Sequence, residues 1–175
     1  MMSDSSPEFS EILKLSNIGS APIKSKITAS ENQRAALAKR FDLPSIESFS
    51  ADYIVKAEND RFVFTGTITA TLHQLCAISG RDFPVSISEP FNIAFVEKTD
   101  MENLDEEVEL DSDDCDILEY ENAQFDIGEA LAQTLYLALD PYPRGPDADA
   151  VAKNLTSEEE AGPFGALAAL KKKLD

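Results

Sequence analysis

Two cysteines, one histidine and no tryptophan occur among 175 residues, and these scarcities remove much of the chemistry that a chain of this size could carry. Cys76 and Cys115 form no C-x-x-C pair, so neither a disulfide framework nor a thioredoxin-type motif is suggested, and a reducing compartment fits. A structural zinc site takes four nitrogen or sulfur ligands, whereas His73, Cys76 and Cys115 are the only candidates and their spacing is unsuited. The seven glycines are scattered and form neither G-x-G-x-x-G nor G-x-x-x-x-G-K, which leaves no phosphate cradle. No apolar run approaches the ~20 residues that span a bilayer. The start MMSDSSPEFS has neither the basic residues nor the apolar stretch of a signal peptide, so a cytoplasmic location is expected.

Cations are missing from one long window. Between Thr99 and Pro143 there is no Lys, Arg or His but there are fifteen acids, so the remainder of a chain of net charge −18 is nearly balanced. Asp105, Glu106, Glu107, Glu109, Asp111, Asp113 and Asp114 form the densest part. Such a surface repels phosphate backbones and attracts basic protein segments, which disfavours broad nucleic-acid binding and favours a cationic partner. What is present in the rest is globular: 43% hydrophobic residues, with Phe the commonest aromatic.

Periodicity divides the chain into elements. FSEILKL (Phe9 to Leu15) and APIKSKIT (Ala21 to Thr28) read as short extended segments. Ser30 with Gln33 forms a capping-box pattern, and Ala35, Ala36, Leu37, Ala38 and Phe41 follow at helical spacing until Pro44. The period then changes to two. Phe49, Ala51, Tyr53, Val55 and Ala57 alternate with polar neighbours, Asn59-Asp60 supplies turn chemistry, and Phe62, Phe64, Gly66, Ile68, Ala70 and Leu72 resume the pattern. Thr65, Thr67, Thr69 and Thr71 fall on the opposite, solvated face. A turn around Ser79-Gly80-Arg81-Asp82 leads to a third strand through Val85, Ile87, Phe91, Ile93 and Phe95, with Pro90 expected to break it or form a bulge. Residues from Lys98 to about Asp116 read as a long acidic loop, extended by self-repulsion. Ile117 to Tyr120 reads as an edge strand. Asp126 and Glu129 form a second capping box ahead of a helix striped by Ile127, Leu131, Leu135 and Leu139, ended by Pro141.

These elements predict an α+β fold: an antiparallel meander flanked by two or three helices, with the acidic loop inserted about 99–116. The expected organisation is one domain over 1–144, a flexible linker over 145–162 and a C-terminal helical segment over 163–175. In that last segment Phe164, Leu167 and Leu170 follow Pro163 in register, and three lysines end it.

No residue pattern argues for catalysis. His73 lies three residues before Cys76 at a strand end, and residues three apart on a strand point to opposite faces, so a thiolate–imidazole pair is disfavoured. Asp111-Ser112-Asp113-Asp114-Cys115-Asp116 has the opening of an EF-hand loop, but the sixth position is Asp116 rather than Gly and the twelfth is Asn122 rather than Glu. We therefore expect no catalytic residues, no metal and no cofactor. Cys76 reads as a small buried residue, with partner contact the alternative. Pro141 and Pro143 force an extended exit from the helix that displays Tyr142 and Arg144, either as a terminator or as a docking surface. Phe164, Leu167 and Leu170 read as a core cap or as a tethered helix for a partner's groove.

Several fragments resemble one known family. LDPYPR (Leu139 to Arg144) after DIGEALAQTLYLA, and Gly162-Pro163-Phe164-Gly165-Ala166-Leu167 leading to Leu170-Lys171, look like motifs of the YceD-like proteins in their alphaproteobacterial form. Cys76, the following turn, Pro84 and EPFNIAFV resemble the family's central hairpin, and SENQRAALAKRFDLPSIESF its early helix and strand. The resemblance implies a non-enzymatic bacterial factor linked to accumulation of large-subunit ribosomal RNA. Some relatives carry C-x-x-C in the hairpin where this chain has Cys76-Ala77-Ile78-Ser79, so a metal role does not carry over. The expected partner is a basic ribosomal protein or a large-subunit assembly intermediate, with direct RNA contact and oligomeric state left open. The alternatives are an acidic mimic of nucleic acid or a general protein-interaction adaptor.

Overall fold

The computed structural model describes residues 7–19, 21–58, 61–98 and 116–161, the side chains of 155–161 excepted. The acidic stretch through Asp114, the Asn59-Asp60 turn, and the segment carrying Pro163, Phe164, Leu167 and Leu170 lie outside the described residues.

Among the described residues the architecture is α+β, a mostly antiparallel five-stranded sheet with three helices. The strands are β1 (Ile12–Lys14), β2 (Ile23–Thr28), β3 (Ser45–Glu58), β4 (Arg61–Leu75), β5 (Asp82–Glu97), β6 (Asp116–Tyr120) and β7 (Gln124–Asp126). The helices are α1 (Glu31–Arg40), α2 (Ile127–Leu137) and α3 (Ala148–Ala161). The main sheet has the order β2-β3-β4-β5-β6, so the expected meander forms its centre, and β1 pairs with β7 in a separate two-stranded ribbon. β6 runs parallel to β5, from Ile93 opposite Asp116 to Glu97 opposite Tyr120. Parallel neighbours need a crossover of about a dozen residues or more, and 98–115 supplies that length.

The chain forms two compact units, one of residues 1–72 and 86–139, the other of 73–85 and 140–175. In the first, Phe49, Phe64, Ile68, Leu72, Leu37, Ile127, Leu131 and Leu135 are fully buried. Each such side chain contributes ~1.5–3 kcal/mol relative to exposure. Rings extend this core: Phe64 meets Phe91 at 4.8 Å, and Phe95 stacks on Phe125 at 4.0 Å. The α1 capping box forms as read, with Gln33 N donating to Ser30 Oγ and Ser30 N to Gln33 Oε1.

Three local expectations are corrected. β5 runs unbroken through Pro90. The residues of 83, 85 and 87 and those of 91, 93 and 95 keep one parity on the more buried side, so no residue is inserted. Among the described residues β6 pairs with β5 only from Ile93 onward, so Pro84 and Pro90 lie where β5 has a strand neighbour on one side alone, the setting in which a sheet admits proline. At α2 only half a capping box forms: Asp126 accepts from Glu129 N at 3.1 Å, while the Glu129 carboxylate takes Arg40 instead. Thirdly, Ala148–Ala161 is helix, where a flexible linker was expected. Four Ala and three Glu among its fourteen residues are strong helix formers, and composition did not separate the two states.

Candidate partner-binding surfaces

In the second unit, the PYPR segment is tied to the tip of the β4–β5 hairpin. Ala77 N donates to the Pro143 carbonyl at 2.8 Å, and the buried Gln74 Nε2 donates to the Asp140 carbonyl at 3.0 Å. Asp147 accepts from Ser79 Oγ at 3.1 Å and from the Arg81 guanidinium at 3.0 Å. Arg144 is paired with Asp149 at 2.8 Å, and Tyr142 stands 78% exposed. Sequence proximity could not have shown that Cys76 and the 140–147 segment meet, because the bonds that join them span more than sixty residues.

Cys76 is buried as expected, at 2% exposure. It is not simply an apolar filler, since Ser79 N donates to its sulfur at 3.4 Å. Hydrogen bonding from the Ser79 hydroxyl, and then from the backbone N–H groups of Ser79, Gly145 and Ile78, pulls the thiol down to about 7 against the opposing effect of burial. The hydroxyl has one proton, for which Asp147 also competes. His73 is paired with Asp82, Nδ1 to Oδ2 at 2.9 Å, and that bond holds the Asp82 carboxyl below its usual range. Pro84 is exposed on β5. Cys76, Pro84 and the residues from Pro141 to Arg144 thus fall in one unit, with Pro84 exposed on β5.

The first unit contains a surface that the sequence reading passed over. Tyr136 and Leu137 at the end of α2 are 55% and 77% exposed. A hollow of about 330 Å³ lies among Arg40, Phe41, Gln133, Tyr136 and Leu137. A second of about 230 Å³, bounded by Glu89, Phe91, Asp116 and Thr134 among others, shares Leu137 with it. Arg40 is neutralised: it forms a two-pronged bond to Glu129 at 2.8 and 2.7 Å and a further one to Glu8 at 3.1 Å. These partners raise the Arg40 pKa, and the Arg40 bonds hold Glu129 below the carboxylate range. The available signal was that Tyr136 and Leu137 are large apolar residues off the Ile127, Leu131, Leu135 stripe.

Among the described residues no group of three or more His, Cys, Asp or Glu is placed to hold a metal, and no helix is long and apolar enough to cross a membrane. Fold and composition together define an acidic α+β protein. The chain belongs to the YceD family, described as large ribosomal RNA subunit accumulation protein, whose family model matches residues 64–171. By that description its role lies in large-subunit ribosomal RNA accumulation and ribosome biogenesis. The match takes in the hairpin tip, the PYPR segment and α2, and it starts inside β4, so the SENQRAALAKRFDLPSIESF resemblance falls outside it. No curated protein and no solved structure matches significantly.

Proposed function

We propose that this chain supports large-subunit ribosomal RNA accumulation as a cytoplasmic, non-enzymatic docking factor that binds a basic ribosomal protein or an rRNA–protein assembly intermediate. The carrying observation is the cation-free window from Thr99 to Pro143 with its fifteen acids, set against a nearly balanced remainder. Carboxylates at that density are favourable neighbours for Lys-rich and Arg-rich protein segments and unfavourable ones for phosphates, so the contact with rRNA runs through protein. Tyr142 and Arg144, displayed beside the hairpin tip, and the Pro163, Phe164, Leu167 and Leu170 segment are further candidates for the contact. Sedimentation of cell extracts at low salt tests the reading. The protein is expected in fractions holding large-subunit precursors and is expected to leave them as salt rises. Its absence from those fractions at low salt would remove the reading.

A further inference from the structure

We propose that Leu137 and the two hollows that share it form a docking surface for a basic amphipathic protein segment, whose apolar side chains cover Leu137 and whose cations meet Glu89 and Asp116. The inference rests on the reading that the protein docks a basic partner, and it names where and by what chemistry.

Glu89 sits on β5 at the parity of Ile87 and Phe91, a position where the strand otherwise turns apolar side chains inward, yet it is exposed at the rim of the hollow. Neither Glu89 nor Asp116 has an ion-pairing cation among the described residues. α2 ends at the same place with no basic residue in its last turn, so the partial negative charge of its terminal carbonyls is also uncompensated. The arginine that lines the adjoining hollow is already spent on Glu8 and Glu129. Asp116 is also where the cation-free acidic stretch re-enters the sheet. Among the described residues that line the two hollows, every unbalanced charge is therefore negative. Phosphates are repelled there, an acidic peptide is repelled, and an uncharged apolar segment would strand two carboxylates. A segment with leucine-like residues on one side and lysine or arginine beside them satisfies both features.

The test uses the full chain and two synthetic helical peptides of equal charge, one of lysine and leucine with a single apolar face, the other with its leucines replaced by serine. The leucine peptide is expected to bind the wild-type chain and to perturb the amide resonances of Phe91, Asn92 and Leu137. Leu137→Ser, and separately Glu89→Gln with Asp116→Asn, are each expected to weaken it by roughly tenfold. Both changes lie on exposed side chains, and circular dichroism checks that the fold is kept. Equal binding of the serine peptide, or unaltered binding to Leu137→Ser, would overturn the surface. Weaker binding of an RNA oligonucleotide to Leu137→Ser than to wild type would overturn the choice of protein as occupant. Sedimentation separates this inference from the reading beneath it. Loss of Leu137→Ser alone from the large-subunit precursor fractions supports the surface. Co-migration of both chains rejects the surface and keeps the docking role, and absence of the wild type rejects the role itself.

Discussion

Gly66 provides the sharpest test of the sheet. It occupies the β4 position between Phe64 and Ile68 where the alternation calls for an apolar side chain. A Cβ built there would lie 2.2 Å from the Asp52 carbonyl oxygen, 2.8 Å from Phe91 Cζ and 2.9 Å from Tyr53 Cα. The Phe91 ring fills the space that a side chain would take, and β3 closes the remainder. Gly66→Ala must therefore separate two backbones by about 1 Å, because ordinary contact begins near 3.4 Å. Moving a ring alone would cost ~1–3 kcal/mol, and stretching the flanking ladder bonds adds ~1 kcal/mol. The reduced backbone entropy of the unfolded alanine chain returns ~0.4–1 kcal/mol. The net loss is ~2 kcal/mol, a large share of a typical stability of ~5–15 kcal/mol, and corresponds to a fall in Tm of about 4–8 °C. Urea unfolding followed by far-ultraviolet circular dichroism measures it, with a lower midpoint expected at unchanged slope. Gly19→Ala is the control, since nothing lies within 4 Å of its Cβ, and it should stay within ~0.5 kcal/mol. A Gly66→Ala protein within ~1 kcal/mol of wild type would refute the close approach of β3 to β4.

Three further outcomes follow from the polar contacts. Asp126 accepts from Ser10 Oγ at 2.6 Å, Glu11 N at 2.9 Å and Glu129 N at 3.1 Å, so Asp126→Ala should cost ~2 kcal/mol in urea unfolding, and Asp126→Asn should recover part of it. Glu129 has a folded pKa below its unfolded value, so its contribution is present above the usual carboxylate range and is lost as pH falls through the depressed value. Glu129→Gln should accordingly lose ~1 kcal/mol at neutral pH and show a shallower fall of stability on acidification, as measured by urea midpoints across pH. In a Cys115→Ser background, Ser79→Ala should move the ultraviolet thiolate titration of Cys76 from about 7 upward towards the usual thiol range. An unmoved midpoint would show that the hydroxyl proton is committed to Asp147.

Much of the fold was legible because it is written in local signals. The Ser30 box, the alternation from Phe49 to Leu72 and the Asp126 cap each depend on residues a few positions apart, and each element forms. Non-local partnerships were not legible. Glu129 was read as closing its own capping box, but a guanidinium supplied by α1 outcompetes the local backbone N–H, since a bidentate charge-assisted pair is stronger than a neutral one. Pro90 was read as an interruption because nothing in the local sequence tells that, among the described residues, β6 joins β5 only from Ile93 onward. Ala148–Ala161 was read as linker because polarity without a stripe suits solvent-exposed coil and solvent-exposed helix alike. The site was legible only in part. The charge and the PYPR motif are visible in the chain, whereas the Leu137 surface depends on where Glu89 and Asp116 arrive in space.

The topology also separates what folding requires of the acidic stretch from what it does not. A parallel β6 next to β5 requires a connection of the length of 98–115, so the presence of a long segment there is a consequence of the sheet. Its composition is not. Any polar sequence would make the crossover, and fewer like charges would make it at less electrostatic cost, because self-repulsion penalises drawing both ends to one sheet edge. In the described part of the window, Glu121 is balanced by Lys98 and Glu129 by Arg40, so individual acids there do serve the fold, whereas Asp116 has no such cation among the described residues. Charge that the sheet does not need is the part of the window on which the proposed docking of a cationic partner draws.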